Sequence, residues 1–117
     1  MPSQTLKVLD GLDVVGTIVA DGDITAFSDE RLKENIETLD GSKVYDMRGV
    51  SFTREGEAKS GVIAQELQQV APELVYQTGE YLTVSYGNLV GYLIESVKLQ
   101  KNIIDELTAR VEKLESK

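Results

Sequence analysis

The chain of 117 residues contains no cysteine, no histidine and no tryptophan, and only two prolines. The absence of cysteine excludes disulfide bonds, thiolate nucleophiles and the usual structural zinc sites. The absence of histidine excludes Ser-His-Asp and Cys-His catalysis and removes the commonest transition-metal ligand. Any catalysis must therefore use hydroxyl, lysine, tyrosine or carboxylate groups, and we expect neither a metal nor an organic cofactor.

Basic residues are also scarce, since 12 Lys and Arg against 20 Asp and Glu give a formal net charge of -8. Such a charge repels phosphate backbones, so nucleic acid is not an expected partner. No apolar run approaches the ~20 residues that cross a bilayer, and the first residues do not resemble a signal peptide, so no membrane partner is expected. A chain this short buries little surface alone, and we expect oligomerisation to help stabilise it.

Residues 6–27 are rich in β-branched side chains and are punctuated by Gly11, Gly16 and Gly22. Asp-Gly pairs are typical of turns and Val, Ile and Thr favour strands, so the sequence predicts very short strands that turn every five or six residues. A ribbon of this kind cannot bury both faces by itself. We predict that this ribbon is one strand-set of an intertwined assembly or the end of a longer β-solenoid; the alternative is a floppy terminal tail.

Residues 28–85 are predicted to form a compact α+β stretch. A helix is predicted at its beginning, because acidic residues open the stretch and apolar residues follow with the spacing i, i+4 and i+7 at Leu32, Ile36 and Leu39. Further elements are predicted from alternation, helical spacing and turn residues. They are a helical turn near residues 44–47, a strand over 50–53, an exposed turn at 54–57, a helix over 63–70 and a hairpin around 78–80.

The last region carries a heptad pattern with alternating spacings of four and three. Its members are Leu93, Val97, Gln100, Ile104, Leu107, Val111 and Leu114. Since no proline interrupts it, the pattern predicts one long helix over residues 88–116 that forms a coiled coil. Arg110 and Glu115 have the spacing of an ion pair between parallel chains. The pattern leaves two or three strands open, and the alternative is an amphipathic helix packed on its own domain.

Four sequence blocks follow residue 27 in a fixed order, and the last one leads into the heptad region. They are SDERLKENI at 28–36, GVIAQEL at 61–67, APELV at 71–75 and VSY at 84–86. Together they resemble the C-terminal intramolecular chaperone domain of phage tail spikes and fibres, the endosialidase-type self-cleaving peptidase family S74. The resemblance covers residues 28–117, and several dispersed blocks are more specific than one motif.

The resemblance implies that Ser28 is a nucleophile, that Lys33 is its general base, and that the Phe27-Ser28 peptide bond is cut. It also implies a homotrimer in which residues 28–117 fold the upstream fibre chain, their client, and are then released. Residues 1–27 would be the end of a β-helical or β-prism fibre stalk. This would take place in the host cytoplasm during phage assembly, on a virion tail fibre or spike precursor. A non-enzymatic trimerisation or receptor-binding tip that stays on the fibre is the main alternative, and a membrane-tethered cellular regulator ranks below it.

The predicted fold class is therefore α+β: a small globular domain with a short N-terminal β-stalk and a long C-terminal helix forming a parallel trimeric coiled coil. Without the resemblance, Ser28 would be a helix N-cap and Lys33 a solvated surface lysine. Residues five apart on a continuous helix are separated by about 140° around its axis. A contact between Ser28 and Lys33 thus requires Ser28 to lie outside the helix, and catalysis requires a neutral lysine, whose ordinary pKa is ~10.4.

Overall fold

A computed structural model describes residues 4–117, so residues 1–3 of the predicted stalk lie outside the described range. The chain divides into two units, one running to Asn35 and the other spanning Ile36–Lys117. The second unit contains two separate two-stranded antiparallel sheets, two α-helices and several short 3₁₀ segments. This composition confirms the predicted α+β class. Within the described part of the chain, no helix is long and apolar enough to cross a membrane.

Residues 4–27 are exposed, and they form neither a helix nor a strand in the single chain. The predicted turns are present as bends at Leu9-Asp10, Val15-Gly16 and Asp21-Gly22. Gly16 has a φ of 124°, a conformation that glycine adopts without steric cost. A strand needs a hydrogen-bonding neighbour, and the described residues of this unit provide none. The predicted turning pattern is thus present without the predicted strands.

The predicted helix from Ser28 to Leu39 is wrong, because only the 3₁₀ turn Glu30–Leu32 forms. Asn35 has a φ of 53°, in the left-handed region that interrupts a right-handed helix. Leu32 and Ile36 remain exposed, whereas Leu39 lies beside Gly91, so most of the predicted apolar stripe is not packed. Since most helical stability in proteins comes from packing of the apolar face, the local pattern alone does not produce a helix here.

The elements of the second unit follow one another with short connections. They are a 3₁₀ segment Gly41–Asp46, β1 (Val50–Arg54), β2 (Glu57–Gly61), α1 (Ala64–Gln68), a 3₁₀ turn Pro72–Leu74, β3 (Val75–Thr78), β4 (Tyr81–Val84), a 3₁₀ turn Tyr86–Asn88 and α2 (Leu89–Glu115). Strand β1 pairs antiparallel with β2, and β3 with β4. The predicted helical turn, strand, exposed turn, short helix, hairpin and long terminal helix are confirmed. Strand β2 was not predicted, because its residues do not alternate between apolar and polar.

The core of the second unit is small and is built around one end of α2. Its buried apolar residues are Leu67, Ala71, Leu74, Val75 and Tyr92. Helix α2 presents Tyr92 and Ser96 to this core, while Gly41 lies directly against the helix backbone at Glu95 and Ser96. The lack of a side chain at residue 41 therefore lets the 3₁₀ segment Gly41–Asp46 touch the helix.

The heptad residues of α2 do not take part in this packing. Leu93 and Val97 each follow a buried residue, Tyr92 and Ser96, and so point about 100° away from the core around the helix axis. All six apolar heptad residues are at least half exposed, and every residue after Gln100 is exposed. Helix α2 thus packs on its own domain through one stripe and leaves the heptad stripe uncovered.

We expect Gly41→Ala to destabilise the second unit by about 1–3 kcal/mol, because the added methyl group would overlap the backbone of Glu95 and Ser96. Urea unfolding followed by circular dichroism measures the change. Gly49→Ala is the matched control, since a methyl group there has no neighbour within 4 Å. Equal unfolding midpoints for the two variants would show that Gly41 does not set the helix packing.

Burial and a hydrogen bond from its hydroxyl to the Glu73 carboxylate raise the pKa of Tyr92 to about 12. Because this value exceeds that of an unfolded tyrosine, ~10, the neutral hydroxyl stabilises the fold below that pH. The contribution is lost as the pH rises from the unfolded pKa through the folded one. We therefore expect the free energy of unfolding to fall more between about pH 10 and about pH 12 in the native chain than in Tyr92→Phe, as measured by urea unfolding. Parallel losses in both proteins would contradict this assignment.

Candidate active site

The segment after Phe27 is shaped by a short turn that Asp29 caps. The Asp29 carboxylate accepts a hydrogen bond from the backbone N–H of Arg31 at 2.8 Å. The Arg31 guanidinium returns to the same carboxylate with two further bonds of 3.0 and 2.8 Å. These bonds, from the side chain first and then from the backbone, hold the pKa of the Asp29 carboxyl below its ordinary value. Asp29 thus remains an anion that stabilises the turn.

Two backbone hydrogen bonds complete the turn and orient Lys33. Leu32 N–H donates to the Asp29 carbonyl, and Lys33 N–H to the Glu30 carbonyl, each at 3.0 Å. Lys33 itself is extended, with φ -124° and ψ 147°, so the chain leaves the turn at this residue. The turn reverses the chain over a few residues, and this brings the Lys33 side chain back toward Ser28.

Lys33 Nζ lies 2.6 Å from Ser28 Oγ and donates a hydrogen bond to it. The structure therefore brings together the two side chains that the resemblance singled out. Ser28 lies before the turn, as a contact over five residues requires. The N-cap of the turn is Asp29, and not Ser28, which would be the cap if the resemblance were left aside. A serine that does not cap the turn keeps its hydroxyl available to the lysine.

The contact between Lys33 and Ser28 suits attack of the serine hydroxyl on the peptide bond that precedes Ser28. The carbonyl carbon of Phe27 is bonded to the backbone nitrogen of Ser28, so Ser28 Oγ can close a five-membered ring onto it. A hydroxyl becomes nucleophilic when a neighbouring base accepts its proton. Lys33 can accept that proton only as the neutral amine, since an ammonium group has no lone pair. Both side chains are exposed in the single chain.

Sequence reasoning did not identify the role of Asp29, although aspartate is among the preferred N-cap residues. The signal was present in the sequence, but the adjacent serine offered an equally good cap. The Arg31 guanidinium is paired with Asp29. Among residues 4–117, no cluster of acidic side chains could hold a metal ion.

The segment that contains this site matches a known protein family. Residues 28–76, which begin at Ser28 and include Lys33, match the model of the family described as chaperone of endosialidase, Peptidase_S74. This match confirms, for that segment, the resemblance seen in the sequence.

Two of the curated proteins similar to this chain are phage tail fibre proteins. The chain is 38% identical over 104 residues to the long tail fiber protein Gp37 of Enterobacteria phage K3, which covers 77% of this chain and 8% of that protein. The corresponding protein of Enterobacteria phage T2 is also 38% identical over 104 residues, covering 77% of this chain and 7% of the relative. The chain thus spans less than a tenth of the length of these relatives.

Proposed function

We propose that residues 28–117 form a self-cleaving intramolecular chaperone that trimerises, folds an upstream phage tail fibre and is released by cleavage of the Phe27-Ser28 bond. The observation that carries this proposal is the 2.6 Å contact between Lys33 Nζ and Ser28 Oγ. A lysine on an exposed turn has many orientations open to it, and direct contact with a hydroxyl next to a scissile bond is the arrangement that a serine-lysine dyad requires. Residues 1–27 would then be the end of the fibre stalk.

The reaction has two stages. Lys33 Nζ accepts the proton of the Ser28 hydroxyl while Ser28 Oγ forms a bond to the carbonyl carbon of Phe27. The carbon–nitrogen bond then breaks, and the nitrogen takes the proton from Lys33, leaving an ester between Phe27 and Ser28 Oγ. Water hydrolyses this ester, so one product ends in the Phe27 carboxylate and the other begins with Ser28 and a free amine. The step consumes one water molecule and needs no cofactor.

Assembly would control this reaction through exclusion of water. In the single chain Ser28 and Lys33 are exposed, and water stabilises a charged ammonium group. Closure of three chains around the junction between stalk and chaperone would remove that water and favour the neutral amine. Cleavage would then follow correct assembly, so the chaperone would be released only from a fibre that has folded.

The uncovered heptad stripe of α2 supports association of the chains, while the number three comes from the family resemblance. Half-exposed Val and Ile at one position and Leu at the other suit burial between parallel helices. Pairing of helices depends on local structure and forms quickly, whereas a fibre dominated by non-local β pairing folds slowly and is prone to aggregate. Helices that align three chains first would place identical fibre segments in register. As in the tail fibre relatives, the upstream chain would become part of the virion, after assembly in the host cytoplasm.

Variants of the dyad test the cleavage. In the native chain we expect intact-mass measurements over time to show a fragment of residues 28–117. Ser28→Ala should abolish this fragment because the nucleophile is lost. Lys33→Arg keeps a positive charge, but its guanidinium cannot give up its proton in proteins, so we expect a loss of about 10²–10⁴-fold in rate.

Lys7→Arg is the matched control for Lys33→Arg, because Lys7 is exposed in the same unit. It should cleave at the native rate. Equal formation of the fragment in all variants, including Ser28→Ala, would rule out the dyad. An intact native trimer that never cleaves would instead support a trimerisation tip that stays on the fibre.

Ile104→Asp tests the heptad stripe of α2, because it places a carboxylate in the proposed trimer interface. Since an unpaired buried charge is strongly unfavourable, we expect the variant to be mainly monomeric by light scattering and to cleave much more slowly. Asn102→Asp introduces the same residue outside the heptad stripe and should behave as the native chain. A monomeric Ile104→Asp that cleaves at the native rate would contradict control by assembly and leave the dyad itself intact.

A further inference from the structure

Residues 5–28 contain a repeat of six residues that appears four times, as TLKVLD, GLDVVG, TIVADG and DITAFS. The second position is always Leu or Ile, at Leu6, Leu12, Ile18 and Ile24. The fourth position is always Val or Ala, at Val8, Val14, Ala20 and Ala26. The charged residues of the segment, Lys7, Asp10, Asp13, Asp21 and Asp23, all occupy other positions.

The bends of the chain follow the same repeat. They occur at Leu9-Asp10, Val15-Gly16 and Asp21-Gly22, which are the fifth and sixth positions of the first three repeats. Between bends the described residues form no helix, and in the extended conformation that their β-branched side chains favour, side chains two residues apart point to the same face. The second and fourth positions therefore share one face of each repeat, and this face carries no charge.

Nothing in the described chain covers this face. Leu12 is 73% exposed and Ile18 is 65% exposed, and the described residues of the first unit form no strand pair. A partner must offer apolar pairs at the same spacing, six residues or about 20 Å of extended chain. A second copy of this chain in parallel alignment has that spacing in every repeat, and the same face of that copy also carries no charged residue.

We infer that the second and fourth positions of the repeat form a common interior with two further copies of this chain. The inference rests on the trimer of the proposed function and adds which side chains of the stalk meet. In each six-residue repeat the second and fourth positions would face the shared axis, and the remaining positions would face water. Backbone groups without a neighbour in the single chain would then pair between copies.

The repeat also marks where the stalk ends. Phe27 and Ser28 occupy the fifth and sixth positions of the fourth repeat, where the first three repeats bend. Here the chain does not bend, and it continues into the 3₁₀ turn Glu30–Leu32. Cleavage between Phe27 and Ser28 would therefore leave all four apolar pairs on the fibre side, so release of the chaperone would remove no interior residue from the stalk.

Cysteine cross-linking tests the inference directly, because the chain has no native cysteine. Ala20→Cys places a thiol at the fourth position, and Val19→Cys places one at the adjacent third position. Both are made in the full chain with Ser28→Ala, so that the stalk stays attached. After mild oxidation at low protein concentration, a denaturing gel without reductant shows the linked chains.

We expect Ala20→Cys to form covalent dimers and Val19→Cys to remain monomeric on the gel. Since a disulfide joins two thiols, at most about two thirds of the chains in a trimer can be linked. Ala26→Cys and Thr25→Cys repeat the comparison in the fourth repeat, in case one substitution disturbs the stalk.

Equal cross-linking at the third and fourth positions, as expected for loose tails, would overturn the inference. Absence of cross-links at both positions in a trimeric protein would do the same. Both results leave the proposed function standing, because cleavage of the native chain and its molar mass are measured separately. A monomeric parent chain would overturn the shared interior and the trimer together.

Discussion

A chain of this size has too little interior to bury its own apolar residues, and the rest of its organisation follows from that constraint. The buried apolar core consists of five residues around one end of α2. At both ends of the chain, apolar side chains instead lie uncovered in regular patterns, with a period of six in residues 5–28 and a heptad in α2. Random exposure would be a liability, whereas regular exposure is what identical chains can bury together.

The contact between Ser28 and Lys33 depends on local hydrogen bonds rather than on the core. Asp29 caps the turn, Arg31 pairs with the cap, and Lys33 leaves the turn in extended conformation. All of these groups lie within six residues of one another, so the geometry can form before the rest of the molecule is complete. The contact and its reactivity thus have separate causes. The turn brings Ser28 and Lys33 together, and the proposed loss of surrounding water makes the lysine a base.

The sequence predicted those elements whose local pattern agrees with their packing. The long helix α2 and the hairpin at Gly79 were confirmed because periodicity and turn chemistry point to the same structure. The helix predicted after Ser28 failed because Leu32 and Ile36 of its apolar stripe stay exposed and Asn35 has a positive φ. Strand β2 is stabilised by pairing with β1, which no local pattern reveals. The site residues came from the family blocks, while the cap by Asp29 could not be told from one by Ser28.

The close approach of Gly41 to α2 has a consequence for how this domain can change over time. The residues of α2 that pack on the domain all precede Gln100, and the remaining turns of the helix are exposed in the single chain. The distal helix is therefore modular: it can be shortened, extended or exchanged for another helix of the same phase without altering the domain that carries the turn. Diversification of the C-terminus and preservation of the processing chemistry are independent in this architecture.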